Sequence, residues 1–557
     1  MKNNNFKLMS ATTILTLLAL LVGFSLIQSL ATPFSFIEEG IYHLQPYDTK
    51  GLLKGGIYFG VYIGSLLAIA LAIFTQNRII ASLLIIFISL SYGVDLLIQL
   101  IGNSAKGISL SVVSLGMIEK SRAGDMLLFK TQIFQALAVV IVFIIIAIIL
   151  RRLILKRFRV NTLLSVSFFL FMSAMTWGAV FYIYSIVGQS FPAPVKSLAI
   201  GAEYYLENKN QKPRVLAENI KPAKTSDYKT IIWVIDESIG GQYLSVNGYN
   251  KDTTPYLKKI DKSSPNFVNL GVVPSISNCS GASNLLLRIG LTNHVEGDFK
   301  ENLKALPTIF QYAKRAGFKT YLIDAQAAEG EMQNNLSASD RLDIDHFETL
   351  SRKFVPNTRD NEVLKQLNEI LDSTDEELRF VVVVKWGAHW PYPLTYQEEI
   401  FKPATRESYT EMVEENRELI FNAYYNSLRF SVDDFLFKLT NKRKLENQII
   451  FYTSDHGQGL FKNNDPLTHC HEESGEKLPM DEYRVPFMIF SKGIKNKFKK
   501  PAVNKNSQVQ IFASTLKLMG YSQDILKIYG PTLSEGVKLG TRKVNVILTG
   551  KKESYRP

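Results

Sequence analysis

Residues 448–460 read QIIFYTSDHGQGL. The uncharged β-branched and aromatic run QIIFY predicts a buried strand. It stops at Thr453-Ser454-Asp455-His456-Gly457, where the side chains turn polar. Residues 230–235 (TIIWVI) repeat the pattern and end in Asp236-Glu237-Ser238. Residues 379–384 (RFVVVV) lead to Lys385-Trp386-Gly387-Ala388-His389. Residues 319–323 (KTYLI) and 486–490 (PFMIF) predict two more strands, and helical patterns at 307–316, 362–371 and 419–441 lie between them. Strands alternating with helices predict an α/β domain, mostly parallel, with helices on both faces. In such sheets sites form just beyond the carboxyl ends of the strands. The polar residues collect there. This domain is read as residues 229–557, with 196–228 a polar linker.

Upstream the composition changes. Residues 8–37, 55–77, 131–150 and 160–195 carry no charged side chain, and 79–101 is interrupted only by Asp95. A helix needs about 20 apolar residues to cross a bilayer. A five-helix transmembrane domain is therefore expected over 1–195, with spans near 11–31, 56–76, 79–101, 131–150 and 162–187. The first reads as a retained anchor, because its apolar core exceeds the ~7–15 residues of a cleaved signal and further spans follow. Lys2, Lys7, Arg78, Arg151, Arg152, Lys156, Arg157 and Arg159 fall on one side if the spans alternate, and basic loops mark the cytoplasm. The α/β domain then lies outside, in the periplasm of a Gram-negative cell. The outward loops 32–55 and 102–130 suit either a lipid headgroup or solvent. Asp95 is either a functional carboxylate or one that snorkels to the outer interface.

The chain has 557 residues, with 63 Lys and Arg against 51 Asp and Glu, a formal charge of +12; 46% is hydrophobic and 20% charged. This composition excludes a disordered chain. The basic excess sits beside long apolar runs, which argues against nucleic-acid binding. Two cysteines, Cys279 and Cys470, exclude a disulfide-rich scaffold and allow at most one bridge.

Four of the seven histidines, His389, His456, His469 and His471, follow predicted strands beside Glu237 and Asp455. Carboxylates mixed with imidazoles suit Zn2+, and Mn2+ second. Asp455 and His456 would oppose each other on a regular strand. A turn at Gly457 can bring both to one ion. Residues 275–283 (SISNCSGAS) supply hydroxyls before the apolar run Leu285-Leu286-Leu287. A hydroxyl at a helix start meets free N–H groups suited to phosphate, and zinc contact would make it nucleophilic. Any one of these serines could equally be an N-cap.

Two segments carry a resemblance. Residues 234–256 (VIDESIGGQYLSVNGYNKDTTPY) and 452–460 (YTSDHGQGL) resemble the membrane-bound phosphoethanolamine transferases, within the alkaline phosphatase and sulfatase-like superfamily. The first is similar to the family's strand, metal-binding glutamate and "LNGY…TTP" run. The second is similar to its "SDHGE.L" element, with Gln458 where Glu is common. The resemblance implies zinc held by Glu237, Asp455, His456 and the nucleophile, with a second zinc an open option. It implies that His389 and His469 bind substrate phosphate or assist the leaving group, with His471 an alternative to His469. Counting four residues from Cys279, as in the family's "CGT.T" run, makes Ser283 the nucleophile, with Ser280 its rival. The implied donor is phosphatidylethanolamine and the implied acceptor a glycan or glycolipid such as lipid A, a lipopolysaccharide modification that confers polymyxin resistance. Cys279 and Cys470 adjoin site residues and either pair or stay free. The family's "DNN…K" substrate stretch appears only as Asp324-Ala325-Gln326. A phosphoglycerol transferase, a hydrolase of the same superfamily and a non-catalytic membrane scaffold are the competing readings. No sulfatase "C/S-x-P-x-R" run occurs around Cys279.

Overall fold

The computed structural model describes residues 49–101, 130–154, 160–180, 191–209, 213–327, 332–350, 355–407, 412–461, 468–471, 478–498, 506–537, 543–545 and 552–554, with the single positions 37, 41, 44 and 410. The chain divides into two compact units, Met1–Gln211 and Lys212–Pro557. The expected span at 11–31 lies outside the described residues, as do residues 102–129 and 181–190.

In the first unit, α1 (Thr49–Ile73), α2 (Arg78–Ile101) and α3 (Lys130–Ile154) contain stretches long and apolar enough to cross a membrane. Helix α4 (Thr162–Gly178) is apolar but shorter, and Asn161 caps it by accepting from the N–H groups of Leu163 and Leu164. Helix α1 buries Tyr58, Tyr62, Leu66 and Ile69, whereas α3 exposes Phe134, Leu137, Ile141 and Ile145. A helix apolar on both faces needs a nonaqueous surround for the exposed one. Helix α5 (Ala193–Lys209) follows. Its Lys196 meets Asp95 of α2, Nζ to Oδ1 at 2.8 Å, with both side chains buried. Gln99 Nε2 donates to the other Asp95 oxygen at 2.8 Å. Asp95 is thus held inside the unit by partners; it does not snorkel.

The second unit is built on a seven-stranded sheet of order β2-β7-β6-β1-β5-β3-β4. The strands are β1 (Thr230–Asp236), β2 (Phe267–Pro274), β3 (Lys319–Asp324), β4 (His346–Thr349), β5 (Arg379–Val384), β6 (Gln448–Ser454) and β7 (Arg484–Ser491). Strands β6, β1, β5, β3 and β4 pair in parallel, while β7 runs antiparallel to both β6 and β2. The uncharged runs are the central strands, because side chains alternate between two covered faces. Ile231, Trp233 and Ile235 of β1 enter one core with Phe380, Val382, Ile449 and Phe451. Ile232 and Val234 enter the other with Val381, Val383, Ile450 and Tyr452. Trp233 also donates its indole N–H to Thr515 Oγ1 at 2.9 Å, on the helix Gln510–Leu518. Further helices include α6 (Pro255–Ser263) and α7 (Ser280–Ile289), whose first residue reaches the site.

Candidate active site

The parallel register sets the first part of the site. Asp236 is level with Ser454 across β1 and β6, so Glu237 and Asp455 leave adjacent strands side by side. The backbone continues that pairing for one step, with Asp455 N donating to Asp236 O at 2.9 Å. The next residues turn. Gly457 N donates to Glu482 O at 2.7 Å, and a Cβ at Gly457 would lie 2.2 Å from Asp481 O. Glycine is required there by close approach of another backbone. The turn carries the His456 ring to the same side as Asp455.

The donor atoms of Glu237, Asp455 and His456 all lie within 4.8 Å of one another. The three residues are 2%, 1% and 0% exposed. His456 Nδ1 contacts Gly457 O at 2.8 Å, which assigns the proton to Nδ1 and points Nε2 into the cluster. Nε2 lies 3.3 Å from Glu237 Oε1 and 3.7 Å from Asp455 Oδ2. Burial works against a charge on His456, but Asp455 and Glu237 together push its pKa up to about 9. Burial and then the Glu237 charge push Asp455 well above the usual carboxylate range. Burial also opposes the Glu237 charge, yet the hydrogen bond and charge of His456 hold it well below. The pocket therefore favours positive charge at this point.

Asp455 Oδ2 is buried and no described residue donates to it. An orphaned carboxylate oxygen is costly unless a cation meets it. Two carboxylates and one imidazole converging on a point fit a Zn2+ donor set with an open position. The residues present thus fit the ion that the sequence implies.

Two serines compete for that open position. Ser280, the first residue of α7, places Oγ 3.0 Å from His456 Nε2 and 3.3 Å from Glu237 Oε1. Ser283, buried one turn further along, donates to Ser277 O at 3.0 Å. The structure therefore brings Ser280 to the cluster and leaves the expected Ser283 out of it. The count from Cys279 carried over an interval, but the hydroxyl that meets the cluster is set by where the helix begins.

His469 stacks on His456 with ring centroids 4.1 Å apart and planes 19° apart. Burial, then the charge on His456, hold its pKa well below the usual value. His389 stacks on Trp386 at 4.3 Å, and the N–H of its neighbour Ala388 donates to Glu237 O at 3.0 Å, which holds this turn against the end of β1. His471 is committed elsewhere: its Nδ1 meets Glu482 Oε1, while Asn278 Nδ2 holds the other Glu482 oxygen at 2.9 Å.

The sulfatase family matches residues 229–521, more than half of the chain and the whole stretch carrying this cluster. The chain belongs to the sulfatase family. Phosphoethanolamine transferase EptC of Escherichia coli (strain K12) is 24% identical over 312 residues, 54% of this chain and 53% of that protein. Kdo(2)-lipid A phosphoethanolamine 7''-transferase of Salmonella typhimurium is 22% identical over 285 residues, 48% of this chain and 45% of that protein. The chain spans about half the length of the curated relatives it matches. The solved integral membrane protein lipooligosaccharide phosphoethanolamine transferase A (EptA) from Neisseria meningitidis aligns with a TM-score of 0.62 at 17% identity, covering 93% of this chain and 99% of that one. That likeness is one of fold.

In this sulfatase-family domain the residues that sequence reasoning missed are supporting ones. Lys385 is fully buried and reaches Asp236 Oδ2 at 2.7 Å and Asp360 Oδ2 at 3.4 Å. Tyr452 OH donates to the same Asp236 oxygen at 2.7 Å. Asp360 also accepts from Trp386 N at 2.9 Å. This network ties the ends of β1 and β5, and with them Glu237 and the turn to His389. Lysine directly after RFVVVV was the available signal, since an isolated charge ending a buried strand needs a partner. Cys279 and Cys470 are paired. The bridge joins the residue before Ser280 to the residue after His469, and Cys470 N adds a hydrogen bond to Asn278 O at 2.9 Å.

Proposed function

We propose that this chain is a zinc-dependent phosphoethanolamine transferase of the bacterial inner membrane, with its sulfatase-family domain in the periplasm. It takes the headgroup of phosphatidylethanolamine and passes it to an envelope glycan or lipid A through a phospho-serine. The names of the relatives and the apolar helices support this reading. One observation carries it: a hydroxyl at a helix start, Ser280 Oγ, lies 3.0 Å from the inward nitrogen of His456 and 3.3 Å from Glu237.

Glu237, Asp455 and His456 would hold the zinc ion, which when bound supplies a Lewis acid that lowers the serine hydroxyl pKa and offsets phosphate charge. Ser280 Oγ attacks the donor phosphorus, and the bond from phosphorus to the diacylglycerol oxygen breaks. The first N–H groups of α7 have no partner within the helix and suit the phosphoryl oxygens. His389 and His469 border the cluster and serve those oxygens or the proton taken up by the departing diacylglycerol. An acceptor hydroxyl or phosphate then attacks the same phosphorus and releases Ser280. A membrane anchor raises the effective concentration of a lipid donor.

The test uses the full chain in detergent with phosphatidylethanolamine labelled in its ethanolamine. Without acceptor, label should stay on a peptide containing Ser280 and vanish in Ser280→Ala. Headgroup-labelled phosphatidylglycerol should leave none. Label on Ser283, or equal labelling from both lipids, would defeat the proposal.

A further inference from the structure

Glu237 offers two oxygens, and the structure treats them differently. Oε1 faces the cluster: it lies 3.3 Å from His456 Nε2 and 3.3 Å from Ser280 Oγ, and accepts from Ser238 Oγ at 2.6 Å. Oε2 accepts from the side-chain amide of Gln326 at 2.9 Å. The same Gln326 nitrogen donates its second hydrogen to Lys385 O at 2.8 Å. Both amide hydrogens are spent, so the amide plane is set by two fixed acceptors on two different strand ends.

Gln326 is itself held. It is 6% exposed, and its backbone N–H is taken by Asp324 Oδ1 at 2.8 Å, a turn that closes the end of β3. Asn334 Nδ2 approaches Gln326 Oε1 at 3.4 Å. The neighbouring Asn335 donates to Gly281 O at 3.0 Å, beside Ser280. One amide thus spans the ends of β3, β1 and β5, and the turn that supports it also touches the start of α7.

We propose that Gln326 is a positioning residue for Glu237: by occupying Oε2 it leaves Oε1 as the oxygen presented to the metal ion. The inference rests on the zinc reading of Glu237, Asp455 and His456. Groups that hydrogen-bond a metal ligand set its orientation, and losing one typically weakens metal affinity about 10–100-fold. Gln326 is therefore turned toward Glu237, although it falls where the resemblance would place the family's "DNN…K" substrate stretch, which this chain matches only in part.

The experiment measures Zn2+ affinity of the full chain in detergent by chelator competition, and the visible spectrum of the Co2+-loaded protein. Variants are Gln326→Leu, which removes the donor, and Gln326→Glu, which keeps the shape but replaces the amide nitrogen by oxygen. Both should bind Zn2+ about 10–100-fold more weakly and shift the Co2+ bands, with metal-free unfolding unchanged in at least one. Wild-type affinity and an unshifted spectrum in a folded variant would overturn the role of Gln326. Failure of the unaltered chain to bind Zn2+ would instead overturn the metal reading beneath it. Weaker binding that tracks a matching loss of metal-free stability in both variants would assign Gln326 a purely structural part and so reject the proposal.

Discussion

Ser280 and Ser283 lie on one helix, separated by about 4.5 Å along its axis, and their hydroxyls meet different partners. Ser280 Oγ faces His456 and Glu237, while Ser283 Oγ is spent on Ser277 O. If the proposed transfer is this chain's reaction, Ser283→Ala should therefore keep most of it and lower stability by about 1 kcal/mol, the usual worth of one internal hydrogen bond. Denaturant unfolding and a transfer assay on the same preparation check both. A loss as deep as that of Ser280→Ala would return the nucleophile to Ser283. Glu237, Asp455 and His456 were legible because each ends or follows a strand whose composition is unmistakable. The serine was not, since a hydroxyl-rich segment offers several candidates and only the phase of α7 selects one. Gln326 was illegible for another reason: a neutral amide gives no sign in sequence of which carboxylate it will meet.

At the scale of elements, α6 begins without a cap from its own N-terminal Thr254. Asp433 supplies it from the π-helical turn Arg429–Asp434, accepting from Tyr256 N at 3.1 Å and Leu257 N at 3.0 Å. Burial pushes the Asp433 pKa up to about 6 even though these two amides pull it down. The folded state then keeps a proton that the unfolded chain releases near pH 4. Stability from this group is complete below about pH 4 and is lost as pH rises through about 6, about 3 kcal/mol in all for a shift of this size. Urea unfolding between pH 4 and 7 should show that slope, and Asp433→Asn should flatten it; an unchanged slope would place its source elsewhere. The disulfide acts on a second pair of elements, clipping the start of α7 to the segment bearing His469 across 191 residues of sequence. Replacing both cysteines by serine should cost about 2–5 kcal/mol and reduce transfer beyond what the lost folded fraction explains. Full specific activity in the folded variant would show that His469 is seated without the clip. The five strands expected from apolar runs are β1, β3, β5, β6 and β7. Strands β2 and β4, at the two edges of the sheet, were missed because neither presents a long unbroken apolar run. β2 carries Gly271 and a register shift between Asn269 and Val272, and β4 is only His346–Thr349.

At the scale of the whole molecule, each unit contains a buried ion pair. In the first, Lys196 and Asp95 join α5 to α2 at 2.8 Å. Breaking a buried pair by removing one partner typically costs about 3–5 kcal/mol, whereas replacing both with apolar residues is often neutral. Asp95→Leu or Lys196→Leu alone should therefore lower the amount of chain recovered from membranes, and the double variant should recover it. Equal loss in single and double variants would mean that the charges do more than neutralise each other. Asp95 announced itself in the sequence as the one charge in an apolar run. Its partner lay 101 positions away, beyond the reach of any local pattern.

Taken alone, the sequence determined the class of each half: long uncharged runs can only be satisfied by a membrane, and short ones between helices by a sheet covered on both faces. It also determined the kind of chemistry, because carboxylates and imidazoles follow the strands. The tertiary structure alone decided which hydroxyl meets them, that Cys279 and Cys470 pair and do not stay free, that β7 reverses direction, and which amide contacts Glu237. The division has a physical cause. Burial pattern is a property of neighbouring residues, whereas a hydrogen bond between residues 237 and 326, or a bridge between 279 and 470, exists only once the chain has closed on itself.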